Sequence, residues 1–122
     1  MVIQFKGGNA NRSADVTFSQ TAPGQNLVVT LANDYPGDVL VPSDVLTAVF
    51  FKLPGNPTLT RISAVVPSGN TVLFGPTDPG GVIGGEWAYR NNINGPGAAN
   101  QGISSAGFGI FGPANLFPGS NL

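Results

Sequence analysis

The side chains that could carry out acid–base or metal chemistry are few in this sequence. Histidine and cysteine are absent, which removes the commonest general base, the commonest transition-metal ligand and any thiolate nucleophile. Paired carboxylates could serve glycoside hydrolysis or bind Ca²⁺, but no EF-hand spacing is present. Acidic residues in turns usually bond to local backbone N–H groups instead. The sequence therefore predicts no enzyme, no cofactor and no metal site, with a lone Ca²⁺ site as an alternative. The carboxylates considered are Asp34, Asp38, Asp44, Asp78 and Glu86.

The glycine- and serine-containing stretch from Gly102 to Gly109 could be imagined as a phosphate cradle. A P-loop, however, needs a lysine followed by Ser or Thr at the start of a helix, and no lysine follows Lys52. Ser104 and Ser105 have no histidine or suitably placed lysine to activate a hydroxyl. We therefore interpret these glycines as positions where the backbone needs a positive φ or close packing.

Two aromatic residues are the best candidates for ligand binding. Trp87 and Tyr89 are two positions apart, so on a strand they would share one face. If that face is exposed, it forms a platform on which sugars can stack. If it is buried, the pair belongs to the core, with the Trp N–H and Tyr O–H bonded to loop backbone. Both alternatives stay open at this point.

The amino-acid composition excludes some classes of binding partner. Only 9% of the 122 residues are charged, and the net charge is −1. Because there is no basic stripe, the sequence predicts no nucleic-acid binding. No run of 18 apolar residues is present, so we expect no helix that spans a membrane. A surface solubilised by Asn, Ser, Thr and Gln favours an extracellular location, and the length predicts a single domain over residues 1–122.

The elements that must position these residues are predicted to be strands. Short runs of β-branched and aromatic residues alternate with Gly, Pro and Asn clusters about every dozen residues. This spacing predicts an all-β fold, an antiparallel β-sandwich with a barrel as second choice. The run 26–33 has two half-apolar faces, which favours a central strand. The predicted strands cover residues 2–5, 16–19, 26–33, 39–41, 45–51, 58–66 and 71–74.

The last third of the chain, from Gly84 to Leu122, is unusually rich in glycine. It holds nine of the 18 glycines and three of the 11 prolines, which excludes a helix. Large apolar residues stand between the glycines, whereas disordered segments have few of them. We predict that residues 84–122 form a packed run of turns and short extended pieces covering the β core.

From Asp38 to Leu122 the sequence resembles a known family. The residues that carry the resemblance are DVLVPSDVLTAVFF, the Gly55–Pro57 turn, GGEWAYR and GISSAGFGIFGPANLFPGSNL. They look like the exosortase-associated, PEP-CTERM-type bacterial surface proteins. The resemblance implies export, an all-β secreted domain and anchoring at the cell surface or in the extracellular matrix. It implies no catalytic residue.

The chain departs from that family at both ends. It lacks an amino-terminal signal and a carboxy-terminal sorting segment, and it stops at Leu122, where further strands would be expected. Either the domain is truncated at its C-terminal end or the chain is a stand-alone relative of the family. A sandwich without its late strands would have an exposed sheet edge, and exposed edges recruit other chains. The sequence favours a non-enzymatic extracellular or cell-surface structural module that associates with itself. The alternative is a carbohydrate-binding module that uses Trp87 and Tyr89 to bind a glycan.

Overall fold

The computed structural model describes residues 1–22, 24–67, 81–105 and 111–119. The chain divides into two compact units, Met1–Leu46 and Thr47–Leu122, and each contains one three-stranded antiparallel sheet. A single domain over residues 1–122 stays a prediction. The strands are β1 Val2–Asn9, β2 Arg12–Gln20, β3 Leu27–Asn33, β4 Ala48–Phe51, β5 Ala88–Asn91 and β6 Gln101–Ser104.

The predicted all-β, antiparallel class is confirmed. The described residues form strands and four short 3₁₀ turns, with no α-helix among them. Both sheets are open antiparallel sheets of the kind that β-sandwiches contain. Neither sheet closes on itself within the described residues, so the second choice, a barrel, is not formed there.

The first sheet is a meander in the order β1-β2-β3. Opposite residues such as Phe5 and Val16, or Val16 and Leu31, point to the same side, because side chains alternate between the faces of a sheet. One side carries apolar residues through the middle of all three strands, with the polar residues Asn9, Arg12, Gln20 and Asn33 at the strand ends. We call the apolar part of this side the N-terminal apolar face. Its members are Ile3, Phe5, Ala14, Val16, Phe18, Leu27, Val29 and Leu31.

Two expectations for this sheet were wrong. Among the described strands, β3 lies at an edge rather than in the centre, because β2 pairs with both neighbours. The apolar side chains Val28 and Ala32 on its second face are exposed to solvent. β1 continues through Gly7 and Gly8 to Asn9 instead of ending at residue 5, where the predicted strand ends. Gly8 allows this, because a Cβ there would collide with the backbone of Arg12.

The second sheet has the order β4-β6-β5, so β6 is its central strand. Both β5 and β6 come from the glycine-rich third of the chain. The glycine-rich segment therefore supplies the central strand of the second sheet and is not only a layer that covers the core. Gly102 in β6 shows why a glycine is needed, since a Cβ there would lie 2.6 Å from Cζ of Phe111. The buried apolar residues are Ala88, Tyr89, Ala99 and Phe111.

Several predicted strands do not form as expected. Residues 39–41 lie outside any strand and are exposed. The run 45–51 becomes a strand only at Ala48, after the 3₁₀ turn Pro42–Asp44. Residues 58–66 make one isolated bridge, between Val65 and Val82. The predicted strand 71–74 lies outside the described residues.

Candidate functional site

The second unit is built around a buried polar pair. Gln101 in β6 is completely buried, and Tyr89 in β5 is only 6% exposed. The Tyr89 hydroxyl donates to Gln101 Oε1 at 2.6 Å and accepts a hydrogen bond from the Leu59 N–H at 3.1 Å. The Gln101 amide donates to Asn56 Oδ1 at 2.9 Å and to the Pro57 carbonyl at 3.2 Å. The pair thus connects β5 and β6 to the chain between residues 56 and 59.

A second amide holds the same loop. Asn100 Nδ2 donates to the Leu53 carbonyl at 2.8 Å, and Asn100 Oδ1 accepts from the Leu53 N–H at 2.9 Å. The side chain therefore pairs with backbone as a neighbouring strand would. The loop itself turns at Gly55 and Asn56, which both have positive φ. The predicted turn at Pro54-Gly55-Asn56-Pro57 is present, with the Asn56 N–H bonded to the Leu53 carbonyl.

The two predicted ligand-binding residues, Trp87 and Tyr89, differ in how far they are buried. Trp87, which precedes β5, is half-buried, whereas Tyr89 is buried with its hydroxyl bonded at both ends. The burial of Tyr89 is in keeping with the alternative that assigns it to the core. Ligand binding at Trp87 and Tyr89 stays a prediction that this geometry does not test.

An open cavity of about 340 Å³ lies on the outer side of β5, and we call it the β5 groove. Two side-chain hydrogen bonds join the chain segments around it. Asn91 Nδ2 donates to Thr58 Oγ1 at 2.6 Å, and Arg61 Nη1 donates to the Ala114 carbonyl at 2.7 Å. No carboxylate is among the described residues that line it. The lining comprises residues 58–61 and 89–91 together with Asn115, Leu116 and Pro118.

The first unit has a charged face opposite its apolar one. Lys6 Nζ lies 3.1 Å from Asp15 Oδ2 and 3.2 Å from Asp34 Oδ2. The hydrogen bond to Asp15, followed by that to Asp34, raises the pKa of Lys6 above its ordinary value. The hydrogen bond from Ser13, followed by that from Lys6, lowers the pKa of Asp34. These groups form a surface ion network on the polar side of the sheet.

The outer edge of β1 is the longest exposed strand edge in the described part of the first unit. Met1 and Gln20 exchange both of their backbone hydrogen bonds, and bonded pairs alternate along an antiparallel ladder. The even-numbered residues therefore direct their N–H and C=O groups away from β2. These residues are Val2, Gln4, Lys6 and Gly8. Every residue of β1 is exposed.

The rest of the first unit is also accessible to solvent. Not one of the described residues of Met1–Leu46 is buried. On the N-terminal apolar face, Phe5 is 58% exposed while its ring meets Phe18 edge-on at 6.0 Å. The N-terminal apolar face is therefore only partly buried, whereas the apolar face of a sheet is normally buried against another element. This face and the β1 edge together are the unit's candidate interaction surface.

The carboxylates and serines do not assemble a reactive centre within the described residues. Asp34 and Asp44 pair with Lys6 and Arg12 respectively, and no group of three or more potential metal ligands is found in the described ranges. Glu86 and Asp38 are exposed. Asp78 lies outside the described residues.

The two serines donate to one carbonyl. Ser104 and Ser105 hydroxyls both point to the Thr47 carbonyl, at 3.3 and 3.4 Å. They help to hold the end of β6 beside the start of β4. This is a structural role for the GISS sequence, which was predicted to be non-catalytic.

Within the described ranges, no helix is long and apolar enough to cross a membrane. The fold and site define the protein as an all-β protein with two open antiparallel sheets. Comparison with protein-family models, with curated proteins and with solved structures gave no match. The resemblance to exosortase-associated surface proteins therefore stays a prediction.

Proposed function

We propose that this protein is a non-enzymatic structural module that assembles with copies of itself through the exposed edge of β1. The observation that carries the proposal is this strand, which is exposed over its whole length from Val2 to Asn9. The low content of charged residues supports an extracellular or cell-surface location, where the assembly would act as a matrix or surface component.

The β1 edge lacks the usual protection against pairing. Natural proteins blunt edge strands with proline, bulges, charged side chains or very short strands. β1 has no proline and pairs with β2 without interruption from Val2 to Asn9. Its one charge, Lys6, is bound to the acids of its own sheet face. The edge therefore offers a ready partner for another strand.

A second copy of the protein is the partner that best matches this strand edge. If two β1 strands pair antiparallel about a twofold axis at Phe5, Lys6 faces Gln4 of the other copy and no like charges oppose each other. The outward-facing backbone groups on the even-numbered residues then pair with their counterparts. Because that axis runs perpendicular to the sheet, the two N-terminal apolar faces lie on the same side of one six-stranded sheet.

Light scattering across a range of protein concentrations tests the proposal. The mass is expected to rise with concentration toward a defined oligomer, since association through an edge follows mass action. A mass of 12.4 kDa at every concentration would contradict it.

A second proposed function is glycan binding, and the half-buried Trp87 beside β5 supports it. The indole is partly accessible to solvent, so a bound sugar would change its fluorescence. We expect quenching or a spectral shift on titration with soluble glycans if this proposal holds. Fluorescence that is unchanged across a broad glycan panel would contradict it.

A further inference from the structure

The N-terminal apolar face is most open beside the β1 edge. Ile3 and Phe5, which β1 contributes to this face, are 43% and 58% exposed, whereas the members of the face on β2 and β3 are half-buried. Both exposed side chains lie next to the strand edge through which a second copy is proposed to bind. In two copies joined there, which we call the edge-paired dimer, the apolar surface of one copy continues into that of the other.

The area of the face decides how it can be covered. Strand spacing makes the face about 27 Å long and about 14 Å wide, because β1 has eight residues and the sheet has three strands. Two single sheets stacked face to face would bury about 750 Å² in total, the size of a crystal contact. Two six-stranded sheets would bury about 1,500 Å², which is the usual size of a specific interface.

We propose that the N-terminal apolar faces of one edge-paired dimer bind those of a second, so that four copies form a closed sandwich of two six-stranded sheets. This inference rests on the proposed pairing of β1 edges and deepens it by naming what covers the apolar face. Each dimer has one apolar side, and a second dimer offers an identical one. Sheets packed in this way lie about 10 Å apart, with side chains from both inner faces filling the space between them.

Polar groups stand at the ends of the face, as they do at the rim of a protein interface. Arg12 is the one charged residue that the three strands place on this side of the sheet. Its Nη1 donates to the Ser43 carbonyl at 2.6 Å and lies 3.4 Å from Asp44 Oδ1. The charge is therefore at a strand end and paired with an acid of its own unit, so it does not oppose the packing of a second sheet.

Sedimentation equilibrium up to millimolar chain concentration tests the proposal. We expect a dimer of 12.4 kDa chains at low concentration and a tetramer at higher concentration, since both association steps follow mass action. A protein that stops at the dimer would overturn this inference and leave the edge pairing standing. A monomer at every concentration would overturn both.

Two lysine substitutions at neighbouring positions of β1 locate the contact between dimers. Ile3 lies on the N-terminal apolar face and Val2 on the opposite side of the sheet, and both are exposed. In the edge-paired dimer they stand opposite Gly7 and Gly8 of the other copy, so neither new lysine stands opposite a like charge.

The two variants should differ only in the second association step. We expect Ile3→Lys to weaken the association of dimers at least about a hundredfold, because a charge without a partner is costly in an apolar interface. Val2→Lys should change it less than about threefold, as surface substitutions usually do. Equal association of dimers in the two folded variants would overturn the proposal.

Methyl signals of the unmodified protein give a readout that needs no variant. A soluble paramagnetic agent broadens the signals of exposed methyl groups. We expect the Ile3 methyl groups to become protected as dimers form tetramers, while those of Val28, which is equally exposed on the opposite side of the sheet, stay accessible. Protection of Ile3 already in the monomer would show that another part of the same chain covers the face, and this result would overturn the proposal.

Discussion

The Tyr89 hydroxyl lies 2.6 Å from Gln101 Oε1, and both side chains are buried. Gln101 is fully buried and has hydrogen-bond partners for both its oxygen and its nitrogen. A buried amide is costly unless it is paired in this way. The pair therefore fixes the positions of β5, β6 and the loop at Asn56 relative to one another.

Removing one hydroxyl should destabilise this arrangement. Tyr89→Phe leaves Gln101 Oε1 and the Leu59 N–H without their partner, and we expect a loss of about 1–3 kcal/mol in the free energy of unfolding. Urea denaturation measures it. The only other tyrosine is the control: Tyr35→Phe in the first unit should change stability by less than about 0.5 kcal/mol, and equal effects of the two changes would contradict this account of Tyr89.

Gly102 should tolerate no side chain. In Gly102→Ala the new methyl group would lie 2.6 Å from Cζ of the buried Phe111, so we expect a loss of about 1–3 kcal/mol from overpacking. Gly7→Ala is the matched control, because a Cβ at Gly7 meets nothing within 4 Å. Thermal unfolding of the two variants compares them, and an unchanged melting temperature in Gly102→Ala would show that Phe111 moves aside freely.

The strands of the first unit and β6 show how much of the fold the sequence could predict. The strands of the first unit follow from alternating side chains and clear turns, and they were predicted in the right places with shorter or slightly shifted ends. β6 could not be predicted, since glycine is unfavourable in a strand unless a neighbouring group needs its space. That neighbour, Phe111, is nine positions away, so the reason for Gly102 is a tertiary contact.

The edge position of β3 was missed for a related reason. Val28 and Ala32 make its second face look buried, but apolar side chains on a sheet edge are common at a protein surface. Which of three strands lies in the centre depends on pairing, and pairing is a non-local property. The pattern could identify β3 as a strand without giving its place in the sheet.

The candidate site was predicted only in part. Trp87 and Tyr89 stood out as rare aromatic residues, and the buried alternative for Tyr89 was stated. Gln101, which accepts from the Tyr89 hydroxyl, and Asn56, which accepts from Gln101, carried no signal, because amides are abundant in this sequence and usually lie at surfaces. Arg61 and Arg90 are far apart in the chain, and only the fold brings them to the lining of the same groove.

The stability of the first sheet should depend on pH through Asp34 and Lys6. The pKa of Asp34 is lowered in the fold, so its contribution is present above its unfolded pKa of about 3.9 and is lost as pH falls through the folded value. The pKa of Lys6 is raised, so its contribution is present below about pH 10.4 and is lost as pH rises through the folded value.

Unfolding monitored by NMR signals of the first sheet measures this dependence. We expect a plateau between about pH 5 and pH 10, with a decline on each side that weakens at high salt, because both groups are exposed. Asp34→Asn should flatten the acid decline and leave other resonances in place. An acid decline that Asp34→Asn leaves unaltered would assign it to other carboxylates.

The central claim is that β1 pairs with β1 of a second copy, and sedimentation equilibrium of two variants at one position tests it most directly. Gln4→Pro removes an outward-facing N–H without removing a backbone hydrogen bond to β2. Both Gln4→Pro and Gln4→Ala remove the side-chain hydrogen bond to Asp15, and Gln4→Ala keeps the N–H. We predict that the unmodified protein and Gln4→Ala form the same oligomer and that Gln4→Pro, still folded by circular dichroism, sediments as a monomer. A folded Gln4→Pro variant that associates as strongly as Gln4→Ala would contradict the claim.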